Sequence, residues 1–172
     1  MSPRLAILGL CVALAALPVR ADTFSSPRRS FETADHVVVF KSERRLVLYR
    51  DGRELKSFHV SLGLSPKGPK QQEGDFRTPE GHYLLTRRNP DSDYYLSIQV
   101  SYPDAADIAA ARKAGVQPGG AIMIHGLPNV LKHPRRRYLD SDWTDGCIAL
   151  SDNDMLEVWL RTTPDTPIEI LP

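Results

Sequence analysis

The chain has 172 residues, of which 41% are hydrophobic and 25% charged, and its formal net charge is +1 at pH 7. That length suits a single domain able to bury its own core, and the near-neutral charge removes any bulk electrostatic case for a nucleic-acid partner. No self-similarity at a period of about 20–50 residues is present, which excludes solenoid and array architectures.

Residues 1–21 read as a cleavable export signal. Arg4 gives the positive start, residues 5–17 form an uncharged apolar run, and Val19-Arg20-Ala21 ends on the small residue a signal peptidase needs. The run falls short of the roughly 20 apolar residues that a bilayer-crossing helix takes, so no membrane span is expected after cleavage. Leu10 is bulky where a lipoprotein signal has a small residue before its cysteine, which argues against lipidation of Cys11. Loss of Arg4 and Arg20 leaves 20 basic side chains against 21 acidic ones, a net charge of −1, and Cys147 as the single cysteine. An exported lone cysteine has no internal disulfide partner. It is a buried filler, a link to another chain, or a working thiol.

Residues 22–34 are polar and read as a flexible N-terminal arm, which leaves 35–172 as the folded domain. Val37-Val38-Val39-Phe40 is a β-branched strand. Residues 44–50 and 53–62 form an antiparallel meander about Asp51-Gly52, a hairpin pair in which glycine takes positive φ without steric cost. Residues 63–81 carry Gly63, Pro66, Gly68, Pro69, Gly74 and Pro79, and read as either a shaped cleft wall or a disordered loop. Residues 82–86 form a strand. In 94–102, Leu96, Ile98 and Val100 alternate with Ser97, Gln99 and Ser101, the mark of a half-buried strand. Residues 103–114 read as a helix opened by Pro103 and closed by Gly115. A short strand over 121–124 ends at His125-Gly126, a polar loop covers 127–142, and 144–150 is extended. Ser151 caps a helix whose first turn holds Asp152 and Asp154 and whose apolar face holds Met155, Val158 and Trp159. Residues 166–171 form the last strand. With about seven strands and two helices, the class is mainly β with attached helices.

Chemistry centres on Cys147 and His125. A thiol attacks as the thiolate, and an adjacent imidazole is the usual base. Gly146 lets a substrate backbone approach the sulfur, amides around Gly146 and Cys147 would form an oxyanion hole, and a backbone carbonyl near Gly126 would orient the ring. The competing reading makes Cys147 apolar filler and His125 a satisfied strand-end residue. His125, His133 and Cys147 lack a close ligand pair, so neither metal nor cofactor is expected.

The words around this pair carry a family likeness. His125-Gly126 followed by Thr144-Asp145-Gly146-Cys147-Ile148 resembles the L,D-transpeptidase catalytic domain family, as do Leu48-Tyr49-Arg50-Asp51-Gly52, Val60-Ser61-Leu62-Gly63, Gly68-Pro69-Lys70 and Gly74-Asp75-Phe76-Arg77-Thr78-Pro79-Glu80-Gly81-His82-Tyr83. The resemblance covers roughly residues 36–171. It implies an L,D-transpeptidase-type β-sandwich with a cleft, export to the periplasm or cell envelope, and action as a monomer on peptidoglycan stem peptides. Cys147 would attack the carbonyl of meso-diaminopimelate, release D-alanine and form an acyl-enzyme that a second stem's amine resolves. His125 would accept and donate the proton, the Gly126 carbonyl would orient it, and the Gly146 and Cys147 amides would hold the oxyanion, with Thr144 at the motif's Ser/Thr position.

This chain departs from the family pattern in three places. Asp145 stands where the family commonly has His, Ala149 where it commonly has Arg or Asn, and 128–142 lengthens the gap between His125 and Thr144. A carboxylate facing the sulfur would raise the thiol pKa. These features place the chain in a divergent branch and leave three readings open. They are an L,D-transpeptidase, an L,D-carboxypeptidase or endopeptidase, and a non-catalytic peptidoglycan-binding module. In the basic run 132–137, Arg135 and Arg137 suit bidentate carboxylate binding, or the run is a solvated surface. Tyr83 and Trp143 would line the cleft, or pack in the core as aromatics usually do.

Overall fold

The computed structural model describes residues 32–172. The expected export signal and residues 22–31 of the arm lie outside the described residues. The arm does not run loose through residue 34. Glu32 pairs with Arg53 at 2.6 Å, and the N–H of Ala34 donates to the Arg161 carbonyl at 2.7 Å.

Strands β1 (His36–Phe40), β2 (Arg45–Arg50) and β3 (Arg53–His59) form the expected antiparallel meander. Asp51 and Gly52 both have positive φ, as a tight hairpin matched to strand twist requires. β4 (Gly81–Ser92) is far longer than residues 82–86, because it continues through Asn89-Pro90-Asp91, which local sequence rules mark as a turn. Two register shifts against β5 (Tyr95–Val100) accommodate that stretch, and bulges are where a sheet tolerates proline. Helix α1 (Ala105–Ala114) opens with a capping box between Asp104 and Asp107 and closes at Gly115 in the left-handed conformation. After β6 (Met123–His125) comes α2 (Arg135–Asp140), which replaces the expected polar loop. Tertiary contact holds it: Tyr138 is buried, its hydroxyl accepts the Lys132 N–H, and its carbonyl accepts the Trp143 indole N–H. β7 (Ile148–Ala149), α3 (Asp152–Arg161) capped by Ser151 Oγ, and β8 (Pro167–Leu171) complete eight strands and three helices among the described residues.

The strands make one mixed sheet in the order β3-β2-β1-β8-β4-β5-β6-β7. β4 is its hinge: residues 81–84 pair with β8 and residues 85–92 with β5. Bridges from Ser61 to Ala149 and from Gly63 to Thr144 then tie the chain beyond β3 to β7, so the two ends of the sheet meet. The closure is sandwich-like, with Leu46, Leu48, Leu62, Leu85, Ile98, Ile124, Ile148, Met155 and Ile168 fully buried inside it. Each such side chain contributes roughly 1.5–3 kcal/mol through the apolar surface it removes from water.

The segment between β3 and β4 is fixed from within. Lys41 Nζ, on a side chain only 2% exposed, donates at 2.8 Å to the Gly68 carbonyl, the Thr78 carbonyl and Glu80 Oε1. Lys70 Nζ pairs with Asp75 at 2.8 Å, and Asp75 also accepts the N–H groups of Gln71, Gln72 and Arg77. A buried charge is tolerable only when paired and hydrogen-bonded, and both lysines meet that condition. The loop is therefore a shaped wall.

Candidate active site

His125 ends β6, and its backbone carbonyl accepts the Leu150 N–H from the chain just past β7. Its Nδ1 lies 2.7 Å from the Gly126 carbonyl oxygen. A carbonyl only accepts, so Nδ1 carries the proton and Nε2 is the basic nitrogen. The ring is flanked by Tyr94, at 4.6 Å between centroids, and by Trp143, edge-on at 5.6 Å. Burial among these groups pulls the imidazole pKa down to about 4, against a smaller upward effect of the Gly126 bond. The ring is neutral at pH 7 and available as a base.

Gly126 is itself tightly held. Its N–H donates to the carbonyls of Tyr94 and Leu96, and a Cβ there would stand 2.9 Å from both Asp152 Oδ1 and Tyr95 Cβ. Asp152 Oδ1 accepts the Leu127 N–H at 2.9 Å, fixing the peptide that follows the orienting carbonyl. In the sequence Asp152 reads only as a helix-dipole acid, and nothing local announces a partner 25 residues away.

Cys147 is half-buried and lines the same cleft as His125. Its thiol donates to the Ala121 carbonyl at 3.6 Å. Burial pushes the thiol pKa up, the Met123 N–H pulls it down, and the nearby charges of Asp145 and Lys70 act upward and downward respectively. The net shift is upward, so the resting pair is a neutral thiol with a neutral imidazole.

Thr144 builds the turn that presents the sulfur. Its Oγ1 donates to the Cys147 carbonyl at 2.7 Å and accepts the Gly146 N–H at 3.1 Å. The Gly146 amide expected at the oxyanion is thus engaged by Thr144. Gly146 instead permits close packing: its φ is 133°, and a Cβ would fall 2.6 Å from the Arg77 carbonyl oxygen. The wall formed by residues 63–81 is the backing of the thiol turn.

The cleft holds about 440 Å³ and is lined by Asn89, Ser92, Asp93, Tyr94, Ser97, Ala121, Met123, His125, Trp143, Thr144, Asp145 and Cys147. A second cavity of about 380 Å³ adjoins it and shares Tyr94 and Trp143, whose rings stack at 6.2 Å and 24°. Arg137, with Lys132 and His133, lines this neighbour and not the cleft. Arg135 lines neither, because its guanidinium is drawn 3.2 Å from Asp152. Tyr83 is a correction too. Strand alternation in β4 turns it into the core, where it packs edge-on against Tyr102 and its hydroxyl donates to Asp107. Tyr94, absent from the expected site residues, lines the cleft together with Trp143.

Among the described residues, no group of three or more His, Cys, Asp or Glu is placed to hold a metal ion, and no helix is long and apolar enough to cross a membrane.

Comparison with known proteins agrees with this architecture. The model of the YkuD family, the L,D-transpeptidase catalytic domain, matches residues 34–170. YafK of Escherichia coli K12, whose own L,D-transpeptidase designation is provisional, is 38% identical over 97 residues, spanning 53% of this chain and 37% of YafK. The crystal structure of Pgp2, a helical cell shape determining protein of Campylobacter jejuni, matches with a TM-score of 0.58 at 30% identity, over 78% of this chain and 46% of that one. An L,D-transpeptidase of Xylanimonas cellulosilytica shares the fold, with a TM-score of 0.51 at 14% identity, over 81% of this chain and 61% of that one. The chain spans less than half the length of YafK or Pgp2. The family match runs from before β1 into β8 and takes in both His125 and Cys147, and on that ground the chain belongs to the L,D-transpeptidase catalytic domain family.

Proposed function

We propose that the protein is an exported L,D-transpeptidase that acts through a Cys147 acyl-enzyme on peptidoglycan stem peptides. The observation that carries this reading is a neutral imidazole, clamped through Nδ1, lining one cleft with a half-buried thiol. Its Nε2 takes the thiol proton as the sulfur attacks the carbonyl carbon on the L-centre of meso-diaminopimelate. The carbonyl oxygen becomes an oxyanion. Because Thr144 already holds the Gly146 N–H, the Cys147 N–H is the donor assigned to it, and one well-aimed donor of this kind is worth about 3–4 kcal/mol. The carbon–nitrogen bond then breaks, the leaving D-alanine amine takes the proton from the imidazolium, and a thioester remains. An amine of a second stem gives a proton to Nε2 and attacks the thioester carbon. The sulfur leaves and is reprotonated.

A hydrolytic outcome has one observation in its favour. Asp145 lines the cleft beside the thiol, and an ionised carboxylate accepts hydrogen bonds only, which suits it to orient a water molecule toward the thioester.

Incubation of the purified protein with disaccharide tetrapeptides, followed by mass spectrometry, separates these readings. Cross-linked dimers with loss of one D-alanine, absent in Cys147→Ser, support transpeptidation. Tripeptide without dimer gives the hydrolase. A protein whose thiol resists iodoacetamide at pH 7 and that binds muropeptide without converting it is neither.

A further inference from the structure

We propose that the cavity beside the cleft, built by residues 128–142, is a subsite for the free carboxylate of a stem peptide. The inference rests on the reading above, since it deepens the same site.

The first ground is charge. The cleft lining includes two carboxylates, Asp93 and Asp145, and no lysine or arginine. A stem peptide brings carboxylates of its own, and none finds a countercharge there. The adjoining cavity supplies it. Lys132 and Arg137 line that cavity, and among the described residues neither side chain has a hydrogen bond or ion pair. Their neighbours differ: Arg135 is paired with Asp152 and Arg136 with Asp140. The acid in the cavity, Asp142, is already bound by the Arg44 guanidinium at 2.7–3.1 Å and by the Leu62 N–H at 2.9 Å. The cavity therefore has a positive excess, and a guanidinium is shaped to take a carboxylate through two parallel bonds.

The second ground is preorganisation. The floor is Tyr138 edge-on to Trp143, with ring centroids 5.1 Å apart, fixed by the Trp143 indole bond to the Tyr138 carbonyl. Asn129 ties this segment to the tip of the β4–β5 hairpin, donating to the Ser92 carbonyl and accepting the Tyr95 N–H. The third ground is continuity. Trp143 and Tyr94 belong to both cavities and flank His125, so a peptide bound across them places its reactive centre at the thiol side and its terminus at the cations.

Both donor and acceptor stems carry this chemistry, and the experiment separates them. Disaccharide tetrapeptide as donor and disaccharide tripeptide as acceptor are each prepared as free acid and as C-terminal amide. Cys147 acylation is followed by intact mass, and transfer by dimer formation, in the wild type and in Lys132→Gln/Arg137→Gln. The expected result is a KM for the free acid raised about tenfold in the double variant with kcat within about twofold, no such change for the amide, and partial rescue by Arg137→Lys. Discrimination in the acylation step assigns the subsite to the donor, and discrimination only in transfer assigns it to the acceptor. An equal response of acid and amide in both steps overturns the inference. If no donor acylates Cys147, the functional reading fails, and equilibrium binding of acid and amide stems to Cys147→Ala still decides the subsite. Tighter binding of the acid that depends on Lys132 and Arg137 supports it, and equal binding overturns it.

Discussion

Residues 60–80 and 127–142 are two long connections that both contribute to the cavity beside the cleft, and both carry cations: Lys67, Lys70 and Arg77 in the first, Lys132, Arg135, Arg136 and Arg137 in the second. In the first, the Lys70 ammonium is turned inward onto Asp75 and the Gln72 carbonyl, and Lys41, only 2% exposed, reaches in from the turn after β1 to hold the Gly68 and Thr78 carbonyls and Glu80. In the second, the cations point outward, and two of them have no partner among the described residues. Residue type alone does not separate these uses. The contrast lies in whether each donor is satisfied by the protein: a satisfied cation holds backbone in place, and an unsatisfied one is available to a ligand.

The largest test of this contrast is Lys41→Met. Removing one partner of a buried pair leaves Glu80 and two carbonyls unmatched, which costs about 3–5 kcal/mol. Thermal unfolding should fall by on the order of 10 °C. A change of a degree or two would mean that the wall is not fixed from within.

His125 extends the sealed side of the comparison to a group without an ion pair. An unfolded-state histidine takes its proton near pH 6.5, while the folded ring does so only near about 4. The unfolded chain therefore binds more protons in that window, and stability present above pH 6.5 is eroded as the pH falls toward 4, by roughly 3 kcal/mol in all. Urea unfolding at pH 7, 5.5 and 4.5 should show this loss in the wild type, with a shallower slope in His125→Gln.

Thr144→Val probes the turn that leans on the inner wall. It removes the acceptor for the Gly146 N–H and the donor to the Cys147 carbonyl. The expected cost is about 1–3 kcal/mol, together with a slower reaction of Cys147 with iodoacetamide. At the small end, Lys132→Gln and Arg137→Gln should each shift stability by no more than about 0.5 kcal/mol, because among the described residues no hydrogen bond or ion pair reaches either side chain. A clear destabilisation by either would erase the distinction between the two segments.

The sequence discloses what local rules govern. Asp51-Gly52 and the Ser151 cap are each set by a few neighbouring residues and stand where expected, and β5 forms where expected although Ser97 is buried beside Ile98. His125 and Cys147 are legible because the thiol is the single cysteine of residues 22–172 and sits in a recognisable word. What escaped depends on distant contact. α2 forms from an arginine run because Tyr138 is anchored beneath Trp143, and β4 runs through Pro90 because bulges absorb it. Tyr83 is expected either to line the cleft or to pack in the core, and the two-residue period of its strand turns it inward. Lys41, one of the most buried side chains among the described residues, has nothing in its local sequence that announces its burial.

Trp143 has a practical use beyond its place in the wall. The chain has two tryptophans, and the other, Trp159, lies on α3 with the Arg88 guanidinium 3.9 Å above its ring, away from either cavity. Any molecule entering the cleft or its neighbour changes the surroundings of one indole and leaves the other untouched. The protein thus carries an intrinsic optical probe: with Trp159→Phe as background, emission from a single fluorophore follows occupancy in real time, before any bond is made or broken.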